Sequence, residues 1–236
     1  MQTFSELADA SPFGDGRVTL GFAFDMWYLP SEMVQGVFDK VEEKGIRTVT
    51  VHGNPWFNVV QIAKELGVLD NRFLISHGGK LSKPDMENIR EAGAYLSATP
   101  STELQCGMGR PVCFDAAFLE PEVRNQRLSA QDRASLGVDC HAFTAGSIIS
   151  EARLGLQDAR NHFNEYHMKQ GKTPRRLPES LSVEAAFNLA TIKGAEAAKM
   201  SHEIGKIAEG YKADLVVFDA LSPSMVGAAQ HDPVGK

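Results

Sequence analysis

The sequence predicts an α/β fold, a parallel sheet flanked by helices. Three observations carry that expectation. Short apolar runs of strand character alternate with segments whose apolar residues recur at helical spacing, in the order β-α-β-α-β-α-β-loop-β-α-α-β. The connections are long enough for right-handed crossovers. Three of the runs finish on potential metal ligands: residues 48–52 (TVTVH) on His52, 73–77 (FLISH) on His77, and 136–139, inside RASLGVDCHAF, on Asp139.

Composition bounds the reading. The 236 residues, 43% hydrophobic and 23% charged, suit a soluble globular protein of one large or two small domains. The formal net charge of −6 and the absence of a basic run speak against nucleic acid, Arg175 and Arg176 being an isolated pair beside prolines. No apolar stretch approaches the ~20 residues that span a bilayer, and the N-terminus lacks the basic and apolar regions of a secretory signal. Cys106, Cys113 and Cys140 are odd in number and form no C-x-x-C pair, so reduced thiols in the cytoplasm are expected.

Taken in order, residues 1–16 form a short helix or loop before a Gly-Asp-Gly turn. Residues 18–27 (VTLGFAFDMW) read as the first strand. Ser31 and Glu32 suit a helix start, and Met33, Val34, Val37, Phe38 and Val41 mark its buried face, with Gly45 as its end. The second strand covers 47–52, and the next helix runs over 59–66 to Gly67. The third strand is 73–77. A third helix follows over 82–92, capped by Ser82 with Asp85 in its first turn and stopped by Gly93. Residues 94–99 form a strand closed by Pro100. Residues 101–130 look irregular, which at that length suggests a functional loop over the pocket. After the strand at 136–139 come a long helix over 147–168, a Pro/Arg linker at 171–180, a helix over 183–200 and a final strand at 215–218.

In parallel sheets, sites form at the carboxyl ends of the strands, where His52, His77 and Asp139 all fall. Imidazole and carboxylate ligands suit a zinc-like divalent ion, which lowers the pKa of its bound water to roughly 7. Each residue also has a plain explanation. A single strand-end histidine is ordinarily a satisfied polar side chain, and Asp139 alone could cap the next helix. Three unrelated caps have no reason to share this position. Other signals are weaker: the GMG at 107–109 follows no strand directly and lacks a third glycine, His162 and His167 read as surface residues, and Cys140 and His141 only flank Asp139.

These pieces resemble the amidohydrolase superfamily, in its cytosine-deaminase-like and chlorohydrolase-like branch. The resemblance rests on TVTVH at His52, FLISHGGKL around His77, LSATPSTELQCGMGRPV from Leu96 and ASLGVDCH around Asp139. It continues through SEARLGLQDAR from Ser150, AAFNLATIKGAEAAKM from Ala185, IGKIAEGYKADLVVFDA from Ile204 and HDPV from His231. It implies a partial (β/α)8 barrel, with strands equivalent to the fourth to eighth, over residues 1–203, and a remnant of a small β-domain over 204–236. It also implies metal-dependent hydrolysis of a non-peptide C–N bond in a small molecule. His52 would be the fifth-strand metal ligand. His77 would assist substrate or metal from the sixth strand. Asp139 would touch the metal and shuttle the proton from the eighth. The metal would be zinc, with iron the alternative.

Three departures accompany the resemblance. No H-x-H pair occurs, the family's β-domain continues beyond HDPV whereas this chain stops at Lys236, and the glutamate found after the fifth-strand histidine in many deaminases is missing from HGNPWFN. The resemblance therefore reads as truncated at both ends. Five strands cannot close such a barrel, so two sheet edges should stand open to pairing, a second copy included. Too few ligands should leave the ion weakly held. The competing expectations are an inactive remnant or partner subunit, and a doubly wound binding protein, against which the lack of a phosphate loop counts.

Overall fold

The computed structural model describes residues 1–53, 57–114, 130–142, 144–219, 221–223, 225 and 231. Most of the 101–130 loop, at 115–129, lies outside the described residues, as do the end of RASLGVDCHAF at Phe143 and residues 232–234 of HDPV. The elements are α1 (Gln2–Ala10), β1 (Phe22–Ala23), α2 (Ser31–Glu43), β2 (Val49–His52), α3 (Val59–Glu65), β3 (Phe73–Ser76), α4 (Lys83–Ala92) and β4 (Tyr95–Ala98). They continue with α5 (Pro100–Gln105), β5 (Ala134–Leu136), α6 (Ile148–Met168), a 3-10 turn (Glu179–Leu181), α7 (Val183–Ala190) and α8 (Ile192–Ala197).

The five strands are all parallel and lie in sequence order, β1-β2-β3-β4-β5. The order never reverses. A doubly wound sheet must reverse at a switch point, so that expectation is corrected. Uniform winding is what a segment of a (β/α) barrel requires, and the helices then gather on one face. The register fixes which residues meet them. Val49, Val51, Phe73, Ile75, Leu96, Ala98 and Ala134 are buried on one face, where Phe38 of α2 stacks on Phe73 at 5.7 Å and meets Phe22, Phe24 and Trp27. The other face carries Thr50, Leu74, Ser76, Tyr95 and Ser97, all half-buried. Burial therefore alternates with period 2 along β2, β3 and β4.

Helix signals are honoured. Ser82 and Asp85 form a reciprocal capping box on α4, and Gly93 ends it in the left-handed conformation at φ 71°. Such caps contribute about 1 kcal/mol. In α2, Val34, Phe38 and Val41 are buried, but Met33 is exposed, and Ser31 is the first helical residue rather than a side-chain cap.

Other expectations are corrected. The strand at 18–27 shrinks to Phe22–Ala23: among the described residues it has one neighbour, Val18 bridges back to Phe13, and the chain turns where Leu29 N–H donates to the Met26 carbonyl. Pro100 does not merely stop β4 but opens α5, where its missing N–H is harmless. The strand expected at 136–139 lies at Ala134–Leu136, and its ladder ends as Gly137 N–H donates to Ala98 O, β4 turning away into α5. The helix over 183–200 breaks at Thr191, whose φ and ψ of −124° and −96° are not helical. Residues 215–218 form no strand: Val216 and Val217 are 78% and 91% exposed, and no described strand supplies a ladder.

Candidate functional site

The parallel register brings the carboxyl ends of the strands to one edge of the sheet. His52 closes β2. Its backbone N–H donates to Asp25 Oδ1 at 2.8 Å and its Nδ1 meets Asp25 Oδ2 at 2.5 Å. Asp25 follows β1, and both side chains are about half exposed. Sequence reasoning missed Asp25, which lay inside a run read as uninterrupted strand.

His77 is one residue past β3, at 3% exposure. Its N–H continues the ladder to Ser97 O, and its Nδ1 is 2.7 Å from Thr99 Oγ1. The imidazole lies 5.7 Å from that of His52, the rings 27° from parallel. Burial pushes the His77 pKa below its ordinary value; the Asp139 charge opposes that shift and the His52 ring adds to it.

Asp139 lies three residues beyond β5 and is exposed. Thr144 Oγ1 ties the turn around it by donating to Val138 O and Cys140 O. His77 and Asp139 share a backbone trait: φ is 67° and 56°, in the left-handed region. For non-glycine residues this costs roughly 1 kcal/mol each, and such strain gathers at functional sites.

Behind the strand ends sits a second carboxylate that sequence reasoning did not single out. Glu103 of α5 is fully buried and neither side-chain oxygen has a hydrogen-bond partner among the described residues. Burial raises its pKa to about 7; the Thr99 amide pulls the other way without reaching bonding geometry, and Glu151 and Asp139 push it further up. Glu151 of α6, also buried, accepts from Ser101 N at 2.8 Å and from Ser101 Oγ, pinning α5 to α6. A buried acid in a run with no periodicity leaves no signal except the charge itself.

The remaining candidates resolve into structure. In the GMG motif, Gly109 (φ 96°) and Gly79 meet backbone to backbone: a Cβ on Gly109 would stand 2.4 Å from Gly79 O. His162, half-buried rather than on the surface, is engaged by Arg110, and His167, likewise half-buried, packs edge-on to Phe163. Cys140 and His141 are exposed. A groove of about 670 Å³ lined by Arg160, Leu177, Pro178 and Phe187 lies against α6 and α7, on other residues than these.

The donor set, two imidazoles and a carboxylate, suits a borderline-soft divalent ion in kind. Among the described residues, no three His, Cys, Asp or Glu side chains stand together as a ready-made metal group. The set fits as part of a coordination sphere rather than as a closed one.

The profile of the Amidohydrolase family matches residues 31–234. The chain is 30% identical over 163 residues to the 5-methylthioadenosine/S-adenosylhomocysteine deaminase of Pyrococcus abyssi, across 68% of this chain and 32% of that protein. It is 27% identical over 235 residues to the 5-methylthioadenosine/S-adenosylhomocysteine deaminase 2 of Archaeoglobus fulgidus, across 93% of this chain and 48% of that protein. Among solved structures it superposes on an adenosine deaminase from Xanthomonas campestris with bound zinc, at TM-score 0.69 and 19% identity, over 95% of this chain and 48% of that one. It also superposes on a mutant atrazine chlorohydrolase from Arthrobacter aurescens complexed with zinc and atraton, at TM-score 0.71 and 17% identity, over 99% and 49%. The chain thus spans between a third and a half of the length of these proteins.

Proposed function

The chain belongs to the amidohydrolase family, and on that premise we propose that it carries part of a metal-dependent site that hydrolyses a C–N bond of a small molecule. A hydrolytic deamination of an aminopurine nucleoside fits best, since the curated relatives named above are deaminases of 5-methylthioadenosine and S-adenosylhomocysteine. The observation that carries the reading is the pairing of His52 and His77, rings 5.7 Å apart at the ends of adjacent strands, with Asp139 beyond the end of β5 on the same edge of the sheet.

His52, His77 and Asp139 would hold a divalent ion, zinc or else iron. Such an ion, when bound, supplies an activated water near neutral pH. Asp139, exposed at the rim, is the group to accept and return the proton. His77, kept neutral by burial and bonded to Thr99, presents a hydrogen bond or a lone pair to substrate or metal. We divide the chain into a barrel segment, 1–203, and a β-domain segment, 204–236. Tyr211 Oη donating to Ser201 O and Lys212 N–H to Glu203 O join the two. No described helix is long and apolar enough to cross a membrane. Three free thiols fit the cytoplasm.

The test is to load the purified chain with zinc or ferrous ion, supply 5-methylthioadenosine, S-adenosylhomocysteine and adenosine, and follow ammonia release. Turnover that disappears in Asp139→Ala and His77→Ala supports the reading. A chain that retains no divalent ion and releases no ammonia defeats it.

One observation favours a second reading, in which another chain completes the site: no three described ligand-type side chains form a metal group, while among the described residues β1 and β5 each pair with one strand only. A second copy pairing at those strands would double the mass seen by light scattering. A strictly monomeric chain with full activity excludes it.

A further inference from the structure

We propose that Asp25 is the positioning residue of His52: its carboxylate fixes the tautomer and orientation of the imidazole and leaves Nε2 as the ligand atom. This rests on the reading of His52 as a metal ligand.

The geometry is that of a clasp on one residue. Phe24 N–H donates to Thr50 O at 2.9 Å, the last backbone bond between β1 and β2. One step further, the His52 N–H goes to Asp25 Oδ1 at 2.8 Å, where a continuing ladder would offer a β1 carbonyl. The carboxylate is therefore anchored by the sheet before it meets the ring. Its other oxygen lies 2.5 Å from Nδ1. A carboxylate only accepts, so Nδ1 must carry the hydrogen and the neutral ring keeps its lone pair on Nε2. Metal-binding histidines commonly donate their second N–H to such a carboxylate.

Stability does not account for the pair. Its side chains are 52% and 43% exposed, and exposed ion pairs contribute little to folding. His77 offers the contrast: the Thr99 hydroxyl can donate or accept, so that bond selects no tautomer.

The experiment uses the whole chain without metal, labelled with nitrogen-15 histidine, at about pH 8. The His52 signals of the wild type should report Nδ1–H, and Asp25→Ala should move the ring toward Nε2–H, with Asp25→Asn between. In parallel, zinc is titrated against a chelating dye. Asp25→Ala should bind it about 10–100-fold more weakly, with an unchanged melting temperature. An unaltered tautomer in Asp25→Ala overturns the proposal. A tautomer change with unaltered zinc affinity overturns the link to the metal. Should the wild type take up no zinc, the metal reading of the site fails, and the tautomer alone decides the role of Asp25.

Discussion

At the end of β2, His52 stands half in solvent against a carboxylate; one strand over, His77 is enclosed at 3% exposure against a hydroxyl. The two rings nearly touch, yet they belong to different parts of the molecule. The β2 end is a surface fitting, held by the two contacts of His52 with Asp25. The β3 end is built into the core: Gly79, two residues past His77, presses on the 108–110 turn, and Thr99, the partner of His77, leads into the helix that carries buried Glu103. Damage at the β3 end should appear as lost stability, and damage at the β2 end as lost ligand binding.

Gly109→Ala should break the comparison most forcefully. Its Cβ would collide with Gly79 O at a φ of 96°, and backbone cannot yield as a flexible side chain can. Urea denaturation should register a loss of at least about 3 kcal/mol. A loss below about 1 kcal/mol would show that the β3 end is not built in.

Glu103→Gln comes next. Burial raises Glu103 from an ordinary 4.5 to about 7 in the folded chain, so between those values the folded chain binds more protons than the unfolded one. Its ionisation adds no penalty below the unfolded value, stability falls as pH rises through the window, and the loss is complete above about 7. The glutamine variant should lack this slope and be more stable at about pH 8, by at most on the order of 3 kcal/mol. Melting curves across the window, parallel for both proteins, would contradict it.

Thr99→Val keeps the shape and removes the hydroxyl, leaving a buried ring nitrogen without its partner. A cost of about 1–3 kcal/mol is expected in the same urea series. His52→Ala should have the smallest effect on folding, under about 1 kcal/mol, while abolishing zinc uptake in a dye-competition titration. Were it as destabilising as Thr99→Val, the two ends would not differ as described.

What could be read in the sequence was what local chemistry writes there. The capping box at Ser82 and Asp85, the left-handed glycines Gly45, Gly67 and Gly93, and the strand ends at His52 and His77 are set by neighbours within a few residues. What stayed hidden depends on distant partners. Asp25 acquires its role from a residue 27 positions away. Glu103 looks like any solvent-facing acid until α6, carrying Glu151, packs against its helix. The glycines of GMG have their reason in Gly79, on another loop. Edge position, not propensity, cut the first strand to two residues. Apolar residues 215–218 have strand composition but no neighbour among the described strands to pair with.

Asp139 holds a left-handed backbone that glycine or asparagine would adopt more comfortably, and it does so at an exposed position where either would fit without disturbing packing. A library of variants sorted only for survival after heating would therefore enrich Gly or Asn at this codon. Those survivors would have discarded the carboxylate proposed above to carry the proton. Breeding for robustness and breeding for turnover pull in opposite directions at a single position, and a consensus built from heat-selected clones would read as an improvement while recording the loss of the chemistry.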